Sequence, residues 1–180
     1  MKKMSKINAP CNIIILIGMM GSGKSKCGNL LAKILKYKFY DIDKIIESEQ
    51  NLKITQIFNK FGESYFRKIE NLTIEKKIKF LLDSNTNAIV SLGGGGFNCK
   101  NIRKKLITDT KVVWLDAPLD ILAKRVGNSK NRPMLKNNTL ISLQNLQEKR
   151  AKYYEEAHIK VLTNDKSIKN ICDEIIKGIL

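Results

Sequence analysis

An α/β domain built on a mainly parallel sheet is the fold class this chain predicts, on three observations. Short apolar runs alternate with segments of helical periodicity from one end to the other. A complete phosphate-binding loop, Gly18-Met19-Met20-Gly21-Ser22-Gly23-Lys24-Ser25, directly follows the apolar run Ile13-Ile14-Ile15-Leu16-Ile17. That loop runs into a segment where Leu30, Leu31, Ile34 and Leu35 recur at helical spacing, so strand, loop and helix stand in the order the motif requires.

The apolar runs predict strands at about 12–17, 38–41, 87–92, 111–115 and 158–162. Helices are expected at about 24–36, 43–50, 54–61, 63–82, 98–107, 118–126, 139–156 and 167–179. The stretch from Gly127 to Asn138 is polar, lacks periodicity and contains Pro133, the composition of a mobile loop. With no repeat and no long linker, residues 1–180 are expected to form one domain, for which 43% apolar residues suffice.

Composition excludes several function classes. The apolar runs fall far short of the roughly 20 residues of a membrane span, and the basic start from Met1 to Lys6 lacks the cleavage pattern of a signal peptide. A cytoplasmic, monomeric protein with no membrane partner is expected. The net charge of +16 is spread over lysines without a basic block or interleaved aromatics, so it predicts a solvated surface rather than a specific nucleic-acid site. Cys11, Cys27, Cys99 and Cys172 form no C-x-x-C pair, which argues against zinc and against a disulfide framework. One histidine, His158, leaves no basis for a hydrolytic triad.

The loop motif implies that backbone amides and the following helix N-terminus face the phosphates of a nucleoside triphosphate. Lys24 then reaches the β and γ groups, and the Ser25 hydroxyl ligates Mg²⁺. After the second strand, Asp41 and Asp43 lie two residues apart at a strand end, where α/β sheets bind ligands. The pair suits a metal and a phosphoryl acceptor, or the N-cap of the next helix, and the two roles are compatible. Of the 33 basic residues only five are Arg, at 67, 103, 125, 132 and 150. Where lysine is so favoured, Arg67, Arg132 and Arg150 suggest sites that need a planar fork for carboxylate or phosphate. Gly93-Gly94-Gly95-Gly96 after the third strand makes a second glycine turn at the same sheet edge, a close approach to ligand or a plain turn.

Together these spacings resemble the shikimate kinases of the P-loop small-molecule and nucleoside monophosphate kinase superfamily. The resemblance spans roughly residues 12–178. It is carried by GMMGSGKS at 18–25, FYDID at 39–43, FRKIE at 66–70, SLGGGG at 91–96, VVWLDAP at 112–118, NRPML at 131–135 and EKRAKYYEEA at 148–157. It implies a P-loop NTPase fold, a three-layer α/β/α sandwich with a five-stranded parallel sheet in the order 2-3-1-4-5. A shikimate-binding region at about 43–70 and a lid at about 125–138 complete the implied domain.

By the same resemblance Gly21, Ser22, Gly23, Lys24, Ser25, Lys26, Arg125 and Arg132 serve ATP, with Arg125 near the adenine. Ser25 and Asp41 serve Mg²⁺; Asp43, Arg67, Gly94, Gly95 and Arg150 serve shikimate; and Lys24, Asp43 and Arg132 are catalytic. Asp43 orients the acceptor hydroxyl first and acts as base second, because a loose transition state keeps the acceptor proton until late.

This chain departs from the family pattern at Gly96-Phe97, at Cys27 and in its basic start. The first of these bears on the fit of the glycine turn around substrate. A gluconate or nucleoside monophosphate kinase and a non-catalytic nucleotide-binding module are the competing readings. Against the first stands the Arg67 and Arg150 pair, and against the second the retention of Lys24, Ser25, Asp41 and Asp43. Trp114, on a buried strand, is expected to be a poor reporter of substrate.

Overall fold

The computed structural model describes residues 12–127 and 139–180. Five strands, β1 (Ile13–Ile17), β2 (Lys38–Asp41), β3 (Ala88–Ser91), β4 (Lys111–Asp116) and β5 (Ile159–Leu162), form one sheet in the order β2-β3-β1-β4-β5. Every neighbouring pair is parallel. Among the described residues seven helices connect and cover them: α1 (Lys24–Leu35), α2 (Ile42–Gln50), α3 (Ile54–Asp83), α4 (Lys100–Asp109), α5 (Leu119–Val126), α6 (Thr139–Tyr154) and α7 (Ile168–Ile179).

β1 sits at the centre because it is apolar throughout and buried on both faces, as a central parallel strand must be. Its side chains alternate between two cores. Ile13, Ile15 and Ile17 join Val90, Val112 and Trp114 under Ile46, Ile74, Ile102 and Leu143 from α2, α3, α4 and α6. Ile14 and Leu16 join Ile89, Val113 and Leu115 under Leu31 of α1 and Ile171 and Ile175 of α7. A three-layer sandwich follows, with its sheet order as the resemblance implied.

β1 is flanked by β3 on one side and β4 on the other, so the chain reverses its direction of travel across the sheet there. The strand ends at such a reversal leave a crevice, and the phosphate-binding loop occupies it. α1 begins at Lys24 with Gly23 at its N-cap in the left-handed region, φ 95°. Its first amides therefore open toward the crevice instead of toward a capping side chain.

The expected helices at 54–61 and 63–82 are both present as the two halves of α3, separated by a kink at Gly62, where φ is 80° and ψ 173°. The break redirects the half of α3 that carries Arg67 and Glu70. α4 starts at Lys100 rather than at about 98, because Phe97 and Asn98 belong to the turn that Arg103 grips by their carbonyls. Cys27 packs in the α1–α7 interface with its sulfur 3.6 Å from that of Cys172, and both are free thiols. The hydrogen bond with the Cys172 thiol, then burial, push the Cys27 thiol up, so it serves as a small packing residue. Among the described residues no helix is long and apolar enough to cross a membrane.

The Gly62 conformation is one that essentially only glycine adopts, and no atom lies within 4 Å of a Cβ built there. Gly62→Ala therefore carries a purely conformational cost, about 1–3 kcal/mol of unfolding free energy. Denaturant unfolding measures it; a variant as stable as the parent would show that the break in α3 is not held.

Candidate active site

The phosphate-binding loop is held by its own lysine. Lys24 Nζ donates to the carbonyls of Gly18 and Met19, each at 2.9 Å, and so stands inside the loop's curve. Gly18 has φ 139°, and a Cβ there would collide with the carbonyl of Leu115 on β4. Ser22 Oγ is buried without a hydrogen-bond partner in the loop. Arg125, from α5, donates through Nη1 to the Gly21 carbonyl at 3.3 Å and through Nη2 to the Thr163 carbonyl at 3.1 Å. It ties the loop's flank to the end of β5. Lys26 is exposed in the first turn of α1.

Ser25 Oγ donates to Asp41 Oδ2 at 2.8 Å, while Asp41 Oδ1 accepts from the Lys44 amide at 3.4 Å as the N-cap of α2. Asp41 thus does both things its position allowed, capping a helix and facing the Ser25 hydroxyl. A hydroxyl and a carboxylate side by side are hard oxygen donors, the set that suits Mg²⁺ alongside phosphate oxygens. Among the described residues no cluster of three His, Cys, Asp or Glu side chains offers a site made by protein ligands alone.

The four-glycine turn after β3 is the meeting point of the remaining charges. A Cβ on Gly93 would stand 2.6 Å from Asp43 Oδ1 and 2.8 Å from Glu70 Oε1. One on Gly94 would stand 2.7 Å from Arg150 Nη1, and one on Gly95 would collide with the Arg67 guanidinium. A Cβ on Gly96 would stand 3.1 Å from Ile74 Cδ1 and 3.4 Å from Glu70 Oε1. The turn also abuts the phosphate loop, since a Gly94 Cβ would lie 3.7 Å from the Gly18 carbonyl that Lys24 holds.

Arg67 is clasped from two sides, by Glu70 Oε2 at 2.6 Å on Nη1 and by Glu63 Oε1 on Nε and Nη2 at 3.2 and 3.1 Å. Arg150 is only 3% exposed, with its Nη1 3.8 Å from Met19 Sδ and the Tyr154 hydroxyl beside its guanidinium. Among the described residues no carboxylate forms an ion pair with it. A buried guanidinium without an ion-pair partner is costly, and a small carboxylic acid in the site would offset that cost.

The electrostatics of the acidic pair follow from this crowding. Burial first, then Glu70 and Asp41, push Asp43 up from 3.8 to about 6 against the pull of Lys24 and Arg67. Burial raises Glu70 as well, opposed by Arg67. Asp43 Oδ1 and Glu70 Oε1 are both buried without hydrogen-bond partners, aimed at the glycine turn. Acceptors so placed await donor hydroxyls or water.

Comparison with known proteins decides the family. The family model described as Shikimate kinase matches residues 20–180. The chain belongs to the shikimate kinase family. A shikimate kinase of Persephonella marina is 44% identical over 91% of this chain and 96% of its own length. One from Aquifex aeolicus is 38% identical over 91% and 93%. Among solved structures, a shikimate kinase from Acinetobacter baumannii in complex with shikimate superposes with a TM-score of 0.86 at 31% identity, covering 94% of this chain and 92% of that one. A gluconokinase from Sinorhizobium meliloti, 18% identical with a TM-score of 0.54, shares the fold alone.

The structure brings Asp43, Arg67, Gly94, Gly95 and Arg150 together and sets them against Lys24. Arg132 and most of the expected lid lie outside the described residues. Glu70 was absent from the expected site residues although Arg67 and Glu70 stand three apart on one helix face, the spacing at which such side chains meet. Tyr154, whose hydroxyl donates to the Gly94 carbonyl, was not among the expected site residues, although it lies in the EKRAKYYEEA segment one helical turn past Arg150. Arg103, singled out by composition alone, is architectural: it holds Glu156 at 2.9 Å and the carbonyls of Phe97 and Asn98. That grip, with Phe97 fully buried, accounts for the Gly96-Phe97 departure as an anchor behind the turn.

An acid whose folded-state value is raised is better tolerated protonated, so its ionisation destabilises the fold as pH climbs from about 4 to about 6. In metal-free, nucleotide-free protein, Asp43→Asn is therefore expected to be more stable than the parent above pH 6, on the order of 2–3 kcal/mol, with the gain gone near pH 4. Melting curves across that range check it; a gain independent of pH would point to packing instead.

Proposed function

We propose that this protein is a shikimate kinase, moving the γ-phosphoryl of ATP to the 3-hydroxyl of shikimate to give shikimate 3-phosphate and ADP in the route to chorismate and the aromatic amino acids. The observation that carries this reading is the glycine turn that packs two guanidiniums and an acidic pair against the phosphate loop. The description of the Acinetobacter baumannii relative as a complex with shikimate supports it.

Arg150 and Arg67 take the carboxylate of the acid, Gly94 and Gly95 offer backbone amides, and Asp43 accepts from the hydroxyl to be phosphorylated. Asp43 lies within electrostatic reach of both Lys24 and Arg67, which supports a role for it between the donor and the carboxylate ends. With its value near 6 it is mostly ionised at neutral pH, able to align the hydroxyl and to take its proton late. Glu70 holds Arg67 in place. Gly21, Ser22, Gly23, Lys24, Ser25 and Lys26 take the phosphates, with Arg125 beside the nucleotide. Ser25 and Asp41 hold Mg²⁺, which when bound neutralises phosphate charge. Arg132, from a lid at about 125–138, adds charge at the transferring group, and closure excludes competing water. We place the enzyme in the cytoplasm, where ATP is held, as a monomer of one domain over 1–180.

Release of ADP by the purified chain should require shikimate. Equal turnover with gluconate or a nucleoside monophosphate, or none with shikimate, would reject the assignment. Asp43→Asn should lower kcat by at least about 100-fold with the KM for ATP nearly unchanged, the scale of a lost acid–base or orienting group. Arg67→Lys should raise the KM for shikimate roughly tenfold or more, because a point charge cannot serve Glu63, Glu70 and a substrate at once. A weakened KM for ATP instead would move Arg67 to the nucleotide side.

A further inference from the structure

Tyr154 touches both Arg150 of the carboxylate clamp and Gly94 of the glycine turn. It ends α6 one helical turn after Arg150 and is 2% exposed. Its hydroxyl donates to the Gly94 carbonyl and accepts from the Arg150 guanidinium. Its ring packs on Trp114 of β4, centroids 5.7 Å apart, with Lys160 Nζ 4.0 Å over the indole. Burial pushes the phenol up to about 12, so the hydroxyl keeps its proton at any working pH. With a single proton to give, it has one arrangement available: donor to Gly94 and acceptor from Arg150.

We infer that Tyr154 is a positioning residue of the acceptor subsite, fixing the Arg150 fork and the Gly94 backbone in one register so that the substrate carboxylate meets both already aligned. The inference deepens the shikimate reading and rests on it. The glycine turn has no side chains of its own to hold its shape, and glycine backbone is freer than any other. Gly94 has its carbonyl tied by Tyr154 while its α-carbon faces Arg150 Nη1. Removing one oxygen atom from Tyr154 leaves the Gly94 carbonyl and one Arg150 donor without their shared partner. The guanidinium then turns without the protein losing core volume. Trp114, buried on β4 as expected and the only tryptophan of the sequence, packs its ring against Tyr154.

Tyr154→Phe in the full chain tests this. The KM for shikimate should rise about tenfold, the factor that corresponds to one net hydrogen bond. The kcat at saturation should stay within about threefold and the KM for ATP should not move. Titration of Trp114 fluorescence with shikimate, without ATP, should show the same weakening in affinity. An unchanged shikimate KM, or shikimate and ATP constants rising together with a fall in melting temperature, would overturn the role. Should Tyr154→Phe fail to fold, Tyr154→Met, which likewise lacks the hydroxyl, must give the same shikimate-selective loss. Parent enzyme that shows no shikimate turnover would remove the functional reading itself, whereas parent turnover with an unaffected variant removes only the role of Tyr154.

Discussion

Absence of side chains along Gly93 to Gly96 is the constraint on which the rest of the site depends. Each of the first three glycines stands where a Cβ would strike a charged group, respectively Asp43 with Glu70, Arg150, and Arg67. Two acids and two guanidiniums from three helices can therefore share a space that an ordinary turn would fill. The parallel sheet supplies the other half of the arrangement, because β3 and β1 are adjacent and end together, so this turn and the phosphate loop open side by side. Neither element alone makes a kinase. Their adjacency follows from strand order.

The crowding is held at a cost that the fold meets elsewhere. Asp43 and Glu70 are both pushed toward neutrality by burial, and Arg150 is buried without an ion-pair partner among the described residues. Such a cluster destabilises the empty protein and favours a ligand that brings a carboxylate and several hydroxyls, which is the sense in which binding sites store strain. The large apolar clusters on both faces of the sheet give it a frame rigid enough to hold that cluster in place.

Much of this was legible in the residues. Strand positions, the break at Gly62 and the phosphate loop come from local signals, namely apolar runs, a glycine inside a helical period and a fixed motif. Asp41 carried two readings, helix cap and metal neighbour: Oδ1 realises the cap, while Oδ2 is turned to the Ser25 hydroxyl. The role of Tyr154 was not legible, since it depends on α6 returning across the sheet to meet the turn, a tertiary event without a local pattern. Glu70 lay in between: its spacing from Arg67 was visible, but its second oxygen is defined only by the approach of Gly93.

Each of the four described arginines is used as a fork or as a buried charge. Arg67 spans two glutamates, Arg103 spans Glu156 and two carbonyls, Arg125 bridges the phosphate loop to Thr163, and Arg150 lies inside the clamp. On the rest of the surface an ammonium does as well, and lysine has taken those places. The scarcity of arginine thus acts as a sieve: lysine stands where a lone cation is enough, and the described arginines stand where two or three directed bonds would be lost together. What it leaves behind is a map of the scaffold drawn in residue composition, readable without any relative for comparison.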